Sequence, residues 1–148
     1  MFRKKTRFEY LSILLMKAEE ITKYESRKLT LQTKIASVAS LESAKQQGYD
    51  VIAGSAEGVN RHPGSMPGVA NQKVKLIFEK RTRVLIGTQM MGDHAVGELI
   101  NVASACIQHK MTIDDIACFQ MGTHPALTAS PVVYQFVNAA EAALLGRP

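Results

Sequence analysis

The most informative part of this sequence lies near the end of the chain and reads Gly122-Thr123-His124-Pro125-Ala126-Leu127-Thr128-Ala129-Ser130-Pro131. A proline fixes its own φ and biases the residue before it towards extended geometry. Pro125 is therefore expected to hold the imidazole of His124 at a defined angle. Because an imidazole changes charge near neutral pH, His124 is the main candidate for chemistry in this sequence.

The residues after this stretch predict a final helix. Ser130 can cap it, and Pro131 suits its first position. Its predicted inward face repeats at helical spacing and consists of Val133, Phe136, Val137, Ala140 and Leu144, with Gly146 at the end.

Two more helices are predicted upstream. Asp93 is the expected cap of a helix over residues 95–108, whose apolar face comprises Val96, Leu99, Ile100, Ala103, Cys106 and Ile107. Thr112 and Asp115 lie three residues apart, which is the spacing of a capping box, and they predict a short helix to about Phe119.

Alternating apolar and polar residues predict strands over residues 31–38, 49–56, 73–79 and 83–91. Ser40 can cap a short helix over residues 41–47, and a tight polar turn at residues 80–82 joins the last two strands into a hairpin. Three glycines and two prolines predict a loop over residues 57–71. Together these elements predict an α+β fold, with an antiparallel sheet packed against helices.

The chain has 148 residues, enough for one domain with a substantial core. Its net charge of +5 is uneven: residues 1–28 carry eight basic and four acidic side chains, and the remaining residues carry a net charge of only +1. Residues 1–28 are predicted to form a basic amphipathic helical extension, and residues 29–148 the domain proper. Nucleic acid is not expected as a partner, because the domain itself has no strong basic patch.

The start of the chain is not expected to enter a membrane. The apolar run at residues 11–16 is interrupted by Ser12 and ends at Lys17, and no small-residue cleavage site follows it. A membrane span needs roughly 20 apolar residues. The predicted location is therefore the cytoplasm.

The sequence contains no Gly-x-Gly-x-x-Gly after a strand and no Walker-type Gly-Lys-Ser/Thr, so no dinucleotide is expected to bind this chain alone. Cys106 and Cys118 do not form a Cys-x-x-Cys pair, and both are predicted to be buried, reduced thiols. His94 and Glu98, next to Asp93, have metal-ligand spacing but would need further ligands, for which His62 and His109 are the candidates. Cys106 and His109 form a second pair with ligand spacing. Helix ends and solvent-facing positions explain these residues better, and no metal site is predicted.

Six segments follow one another in a recognisable order: residues 33–40, 41–45, 75–89, 92–101, 112–117 and the His-Pro stretch. In order and spacing they resemble the C-terminal dimerisation domain of FAD-dependent pyridine nucleotide–disulfide oxidoreductases. That family includes NADH oxidases, disulfide reductases and dihydrolipoamide dehydrogenases. The resemblance covers roughly residues 29–146.

The resemblance implies a homodimer whose interface uses the sheet face and the last two helices. It implies that His124 reaches the flavin and thiol pair of the other subunit as an acid/base, supported by Pro125, Thr128 and, as a lesser candidate, Tyr134. FAD and NAD(P)H are the cofactors of the parent family. The resembled signature has an orienting glutamate where this chain has Ala129. An alternative role for His124 is to bond backbone groups and stabilise the loop.

The sequence is compatible with three alternatives, and it does not decide whether the chain is part of an enzyme. The chain is a dimerisation domain, or a freestanding relative of one, that completes the partner's active site with its His-Pro loop. Alternatively, it is a non-catalytic binding or regulatory dimer that pairs with a separate flavoprotein subunit. Besides its own copy, the expected partners are thus such a subunit or, for a dimerisation domain, N-terminal FAD/NAD domains. The third reading is a gene remnant.

Overall fold

The computed structural model describes residues 34–37 and 40–146. The predicted helical extension at residues 1–28 lies outside them, as do the two ends of the predicted first strand.

The described residues form one antiparallel sheet of four strands in the order β1-β4-β3-β2. The strands are β1 (Lys34–Ser37), β2 (Val51–Val59), β3 (Asn71–Glu79) and β4 (Leu85–Gly92). The helices are α1 (Leu41–Gln46), α2 (Ala95–Gln108), α3 (Ile113–Ala117) and α4 (Gln135–Leu144), and Pro131–Val133 forms a 3₁₀ turn. The predicted α+β class is confirmed. None of the helices in this part of the chain has the length and apolarity that a membrane crossing requires.

The main core lies between one face of the sheet and the helices. Val74, Leu76 and Phe78 of β3 alternate along the strand and are fully buried, as the period of two predicted. Across from them, α2 contributes Val96 and Ala103, and α3 and α4 contribute further residues to the same cluster: Ile113, Ile116, Phe136, Ala139, Ala140 and Ala143.

At Gly54 the backbone of α4 approaches that of β2 closely. A Cβ atom added to Gly54 would overlap the carbonyl oxygen of Ala139 and the amide nitrogen of Ala143, and would lie 2.9 Å from the Cα of Ala143. A glycine in the strand and alanines on the helix therefore let the two backbones touch.

The prediction of a loop over residues 57–71 was wrong at both ends. Residues 57–59 continue β2, and Asn71 opposite Val59 begins β3. Gly58 suggested a loop, but it lies within β2 and leaves room for a side chain of α4: a Cβ there would lie 2.7 Å from the Nε2 of Gln135. The remaining loop is residues 60–70.

The predicted helix α2 is confirmed, but its predicted cap is wrong. The N-cap residue is His94 in helical geometry, and no side chain caps the helix. Asp93 contributes instead through its backbone carbonyl oxygen, which accepts from the Val96 amide at 3.1 Å. The capping box of α3 is confirmed, because Thr112 accepts from the Asp115 amide and Asp115 accepts from the Thr112 amide.

The predicted final helix is split in two. Ser130 and Pro131 begin the 3₁₀ turn, Tyr134 is extended at φ −71° and ψ 105°, and α4 starts only at Gln135. Because of this break, the side of α4 that faces the core differs from the predicted one. Val133 and Leu144 were predicted to point inward but are exposed, and the buried face is instead Gln135, Phe136, Ala139, Ala140 and Ala143.

The β3–β4 turn forms without a glycine. The Glu79 carboxylate accepts from the amides of Arg81 at 3.0 Å and Thr82 at 2.7 Å, and Arg83 adopts φ +61°. Hydrogen bonds from the Thr82 hydroxyl and amide lower the pKa of Glu79. The side chain of Glu79 thus organises a turn that a glycine commonly provides.

Replacing Gly54 by alanine is expected to destabilise the domain by about 1–3 kcal/mol or more, because the added methyl group forces α4 away from β2. The matched control is Gly97→Ala on α2, where an added Cβ meets no atom within 4 Å. We expect that control to stabilise the domain by about 0.5–1 kcal/mol. Urea unfolding measures both, and equal stabilities for the two variants would contradict the close packing.

Candidate functional site

The His-Pro stretch forms a compact loop built on hydrogen bonds between His124 and Thr128. The His124 amide donates to the Thr128 hydroxyl at 2.9 Å, and that hydroxyl donates to the His124 carbonyl oxygen at 3.2 Å. The same carbonyl oxygen accepts from the amides of Leu127 at 3.0 Å and Thr128 at 2.9 Å. The side chain of Thr128 therefore supports the loop from within, while the residue His124 stays exposed.

The imidazole of His124 also bonds within its own loop. Its Nδ1 atom accepts from the amide of Ala126 at 3.2 Å. At the position of the resembled signature's glutamate, Ala129 is 2 % exposed and belongs to the main core. A longer charged side chain at this position would have to enter that core.

A second loop holds the His-Pro loop in place. The amide of His62 donates to the carbonyl oxygen of Pro125 at 3.1 Å. Residues 60–70, to which His62 belongs, are braced by Asn60, whose side-chain oxygen accepts from the Ala70 amide at 2.8 Å, and by Arg61, which donates to the Pro67 carbonyl oxygen at 2.6 Å.

A cavity of about 500 Å³ lies between these loops and the start of α2. Its walls are residues 126–129, residues 93–95 and residues 60–61, with Gln72 and Tyr134 among the other lining residues. Tyr134 is mostly buried, and burial raises its pKa. Of the predicted site residues, the structure brings Thr128 and Tyr134 together in the cavity wall and places His124 and Pro125 beside it.

Two buried side-chain amides, of Gln72 and Gln135, are hydrogen-bonded to each other behind the cavity, and Gln72 is one of its lining residues. The Nε2 of Gln135 donates to the Val59 carbonyl oxygen at 3.1 Å, and the Nε2 of Gln72 donates to the Oε1 of Gln135 at 2.5 Å. Because a backbone carbonyl oxygen can only accept, the orientation of both amides is fixed. The Oε1 of Gln72 is left buried without a donor among the described residues. Sequence reasoning missed this pair.

Charged groups of both signs surround the cavity. Asp93 and His94 line it just before α2, Glu98 lines it from the first turn of α2, and Arg61 lines it from the loop at residues 60–70. The Oδ1 of Asp93 lies 3.8 Å from the Nε2 of His94. Within the part of the chain that the structure describes, no three His, Cys, Asp or Glu side chains are grouped to hold a metal ion.

The two cysteines differ, and the prediction that both are buried was wrong for one. Cys106 on α2 is 2 % exposed, and burial raises the pKa of its thiol. Cys118 is exposed because it is the C-cap of α3, where the chain leaves the helix.

A family model described as the pyridine nucleotide-disulphide oxidoreductase dimerisation domain matches residues 29–133. An NADH oxidase of Enterococcus faecalis (strain ATCC 700802 / V583) is 37 % identical over 76 residues, which are 51 % of this chain and 17 % of that protein. The chain belongs to the dimerisation-domain family of pyridine nucleotide–disulfide oxidoreductases, which confirms the resemblance in the sequence.

Solved structures agree with this assignment. An NAD-dependent persulfide reductase from A. fulgidus matches with a TM-score of 0.69 at 29 % identity, over 80 % of this chain and 22 % of that one. A water-forming NADH oxidase from Lactobacillus brevis, bound to NADH, matches with a TM-score of 0.68 at 30 % identity, over 80 % of this chain and 26 % of that one. The chain thus spans about a quarter or less of the length of these relatives.

Replacing Thr128 by valine is expected to loosen the His-Pro loop. The isosteric change removes the acceptor of the His124 amide, and a hydrogen bond of this kind is worth about 0.5–1.5 kcal/mol. We expect the His124 amide to exchange with deuterium about two- to tenfold faster, as measured by NMR. Thr128→Ser keeps the hydroxyl and serves as the control, and the same exchange rate in both variants would contradict the role of Thr128.

The two thiols are expected to react at very different rates. Cys118 is accessible to iodoacetamide, whereas Cys106 is buried and has a raised pKa, which leaves less of the reactive thiolate at neutral pH. Timed alkylation of the native chain, followed by peptide mass spectrometry, should find Cys118 modified first. Equal rates in the folded protein would be inconsistent with the position of Cys106.

Proposed function

We propose that this chain is the dimerisation unit of a FAD-dependent NAD(P)H disulfide oxidoreductase, or a freestanding relative of one. In this role it binds a second copy of itself and offers His124 to the active site of the partner subunit. The observation that carries the proposal is the His-Pro loop, in which an exposed imidazole is fixed by hydrogen bonds within the loop and by the contact from His62.

The chain's family and its sequence, in which we found no dinucleotide-binding motif, support an assignment of separate roles to this chain and to the segments that hold the cofactors. The flavin and the nicotinamide would be held by other polypeptide segments and would supply the transfer of electrons to the substrate. The residues of this chain would position a polar group: Pro125 and Thr128 fix the loop, and Tyr134 lies behind it in the cavity wall. Fixing such a group before the reaction avoids the cost of ordering it later.

Exposed apolar side chains support self-association. Leu127, Val132 and Val133 lie on the loop and the 3₁₀ turn, and Leu144 and Leu145 lie at the end of α4. Val132 is the most exposed of these side chains, at 85 %, and so has the largest fraction of its surface left to bury against a partner. In a symmetric dimer the same patch would serve both subunits.

The free thiols are consistent with a reducing compartment. Cys106 and Cys118 are unpaired in the structure, and disulfides are rare in the cytoplasm. We therefore propose that the protein works in the cytoplasm.

A second candidate function is a non-catalytic, regulatory dimer that binds a separate flavoprotein subunit. One observation favours it: the family match begins at residue 29 and leaves unmatched a basic segment with a net charge of +4. Under this proposal residues 1–28 provide contacts that the family domain lacks.

The chain is expected to be a dimer at micromolar concentration in sedimentation velocity experiments. Val132→Asp places a charge in the proposed interface and should weaken the dimer by about 1–2 kcal/mol, or about five- to thirty-fold in its dissociation constant. The control is Tyr49→Asp, which changes another exposed residue outside the proposed interface. Tyr49 lies two residues before the start of β2. A monomer at all concentrations, or equal effects of both variants, would refute the proposed interface.

Retrieval of partners separates the two candidate functions. The chain and a version lacking residues 1–28 are used to retrieve proteins from native extract, and the retrieved proteins are tested for bound flavin. Recovery of a flavoprotein that depends on residues 1–28 favours the regulatory dimer. Flavoprotein recovery that is independent of these residues favours the dimerisation unit.

A further inference from the structure

We infer that His124 acts as a hydrogen-bond donor through its Nε2–H group, while the loop holds its other ring nitrogen, Nδ1, as an acceptor. The inference rests on the proposed function, because it specifies what His124 offers to the subunit that it faces. The chemical group that it fits is an electron-rich sulfur or oxygen atom, such as a thiolate or a carbonyl oxygen.

The bond to Nδ1 sets the position of the ring proton. The backbone amide of Ala126 lies 3.2 Å from Nδ1, and a backbone amide can only donate. Nδ1 must therefore present its lone pair, and in a neutral imidazole the single ring proton then lies on Nε2. Turning the ring by half a rotation would place a C–H group against the amide and would leave that amide without its acceptor.

The surroundings of His124 offer little to favour the opposite tautomer. The hydroxyl of Thr128 already donates to the His124 carbonyl oxygen and accepts from the His124 amide. Position 129, where the resembled signature has an orienting glutamate, is a buried alanine. A carboxylate accepts and would favour a proton on Nδ1, whereas the Ala126 amide donates and favours a proton on Nε2. The ring proton of His124 therefore lies on Nε2, whereas an orienting carboxylate would favour a proton on Nδ1.

This tautomer decides what His124 can do. A base needs a lone pair directed at the proton that it removes. The lone pair of the ring is occupied by Ala126, and no hydrogen bond among residues 40–146 uses Nε2. Because the residue is exposed, its Nε2–H group is free to meet a partner. A fixed donor of this kind stabilises negative charge that develops on a nearby atom.

The tautomer is directly measurable in the full chain labelled with ¹⁵N. Long-range ¹H–¹⁵N correlations are recorded at about pH 8, above the ordinary imidazole pKa of about 6.5, and His124→Gln identifies the signals of His124. We expect an unprotonated δ1 nitrogen and a protonated ε2 nitrogen. The same chain unfolded in urea provides the reference mixture of tautomers. A protonated δ1 nitrogen, or a mixture equal to that in urea, would overturn the inference.

Two variants test whether the Ala126 amide fixes the tautomer of His124. Ala126→Pro removes the amide hydrogen and should return His124 to the reference mixture, whereas Ala126→Ser keeps it and should leave the tautomer unchanged. A folded Ala126→Pro variant that keeps the wild-type tautomer would also overturn the inference. If that variant does not fold, the comparison of folded and unfolded wild type still decides. The tautomer is read independently of sedimentation, so failure of this inference and failure of dimerisation are separate results.

Discussion

The contact of α4 with β2 at Gly54 determines where the functional loop lies. The backbones of the two elements touch because the strand has no side chain at this position and the helix presents Ala139 and Ala143. Close packing of this kind gains many small dispersion contacts and tolerates little added volume. Residues 122–134 lead into α4, so the position of the helix fixes one end of the His-Pro loop.

The hydrogen bonds of the buried Gln72 and Gln135 side chains fix the orientation of α4 on the sheet. Gln135, the first residue of α4, bonds both to the end of β2 and to Gln72 on β3. These bonds pin the start of the helix to two strands at once. Buried polar groups stabilise a fold only when they are satisfied, and an unpaired acceptor costs about 1–3 kcal/mol. The free Oε1 of Gln72 therefore marks the cavity wall as a place where a donor would be stabilising.

Repeating patterns in the sequence predicted the core elements well. β3 and α2 followed from their periodicity, and α3 followed from the capping box of Thr112 and Asp115.

Predictions failed where a local signal had another cause. Gly58 leaves room in β2 for the Gln135 side chain of α4, and Ser130 with Pro131 begins a 3₁₀ turn. His124 and Thr128 were found as candidates because the His-Pro motif is local. The contacts of Gln72 with Gln135 and of His62 with Pro125 join residues more than 60 positions apart, so no local pattern could reveal them.

The most direct measurement of the central contact is the nuclear Overhauser effect between Gly54 and α4 in the folded chain. The structure predicts strong cross-peaks from the Hα protons of Gly54 to the backbone protons of Ala143, because an added Cβ would lie 2.9 Å from the Cα of Ala143. Their absence from an assigned spectrum of the folded protein would contradict the account, since α4 would then lie too far from β2 to position the loop.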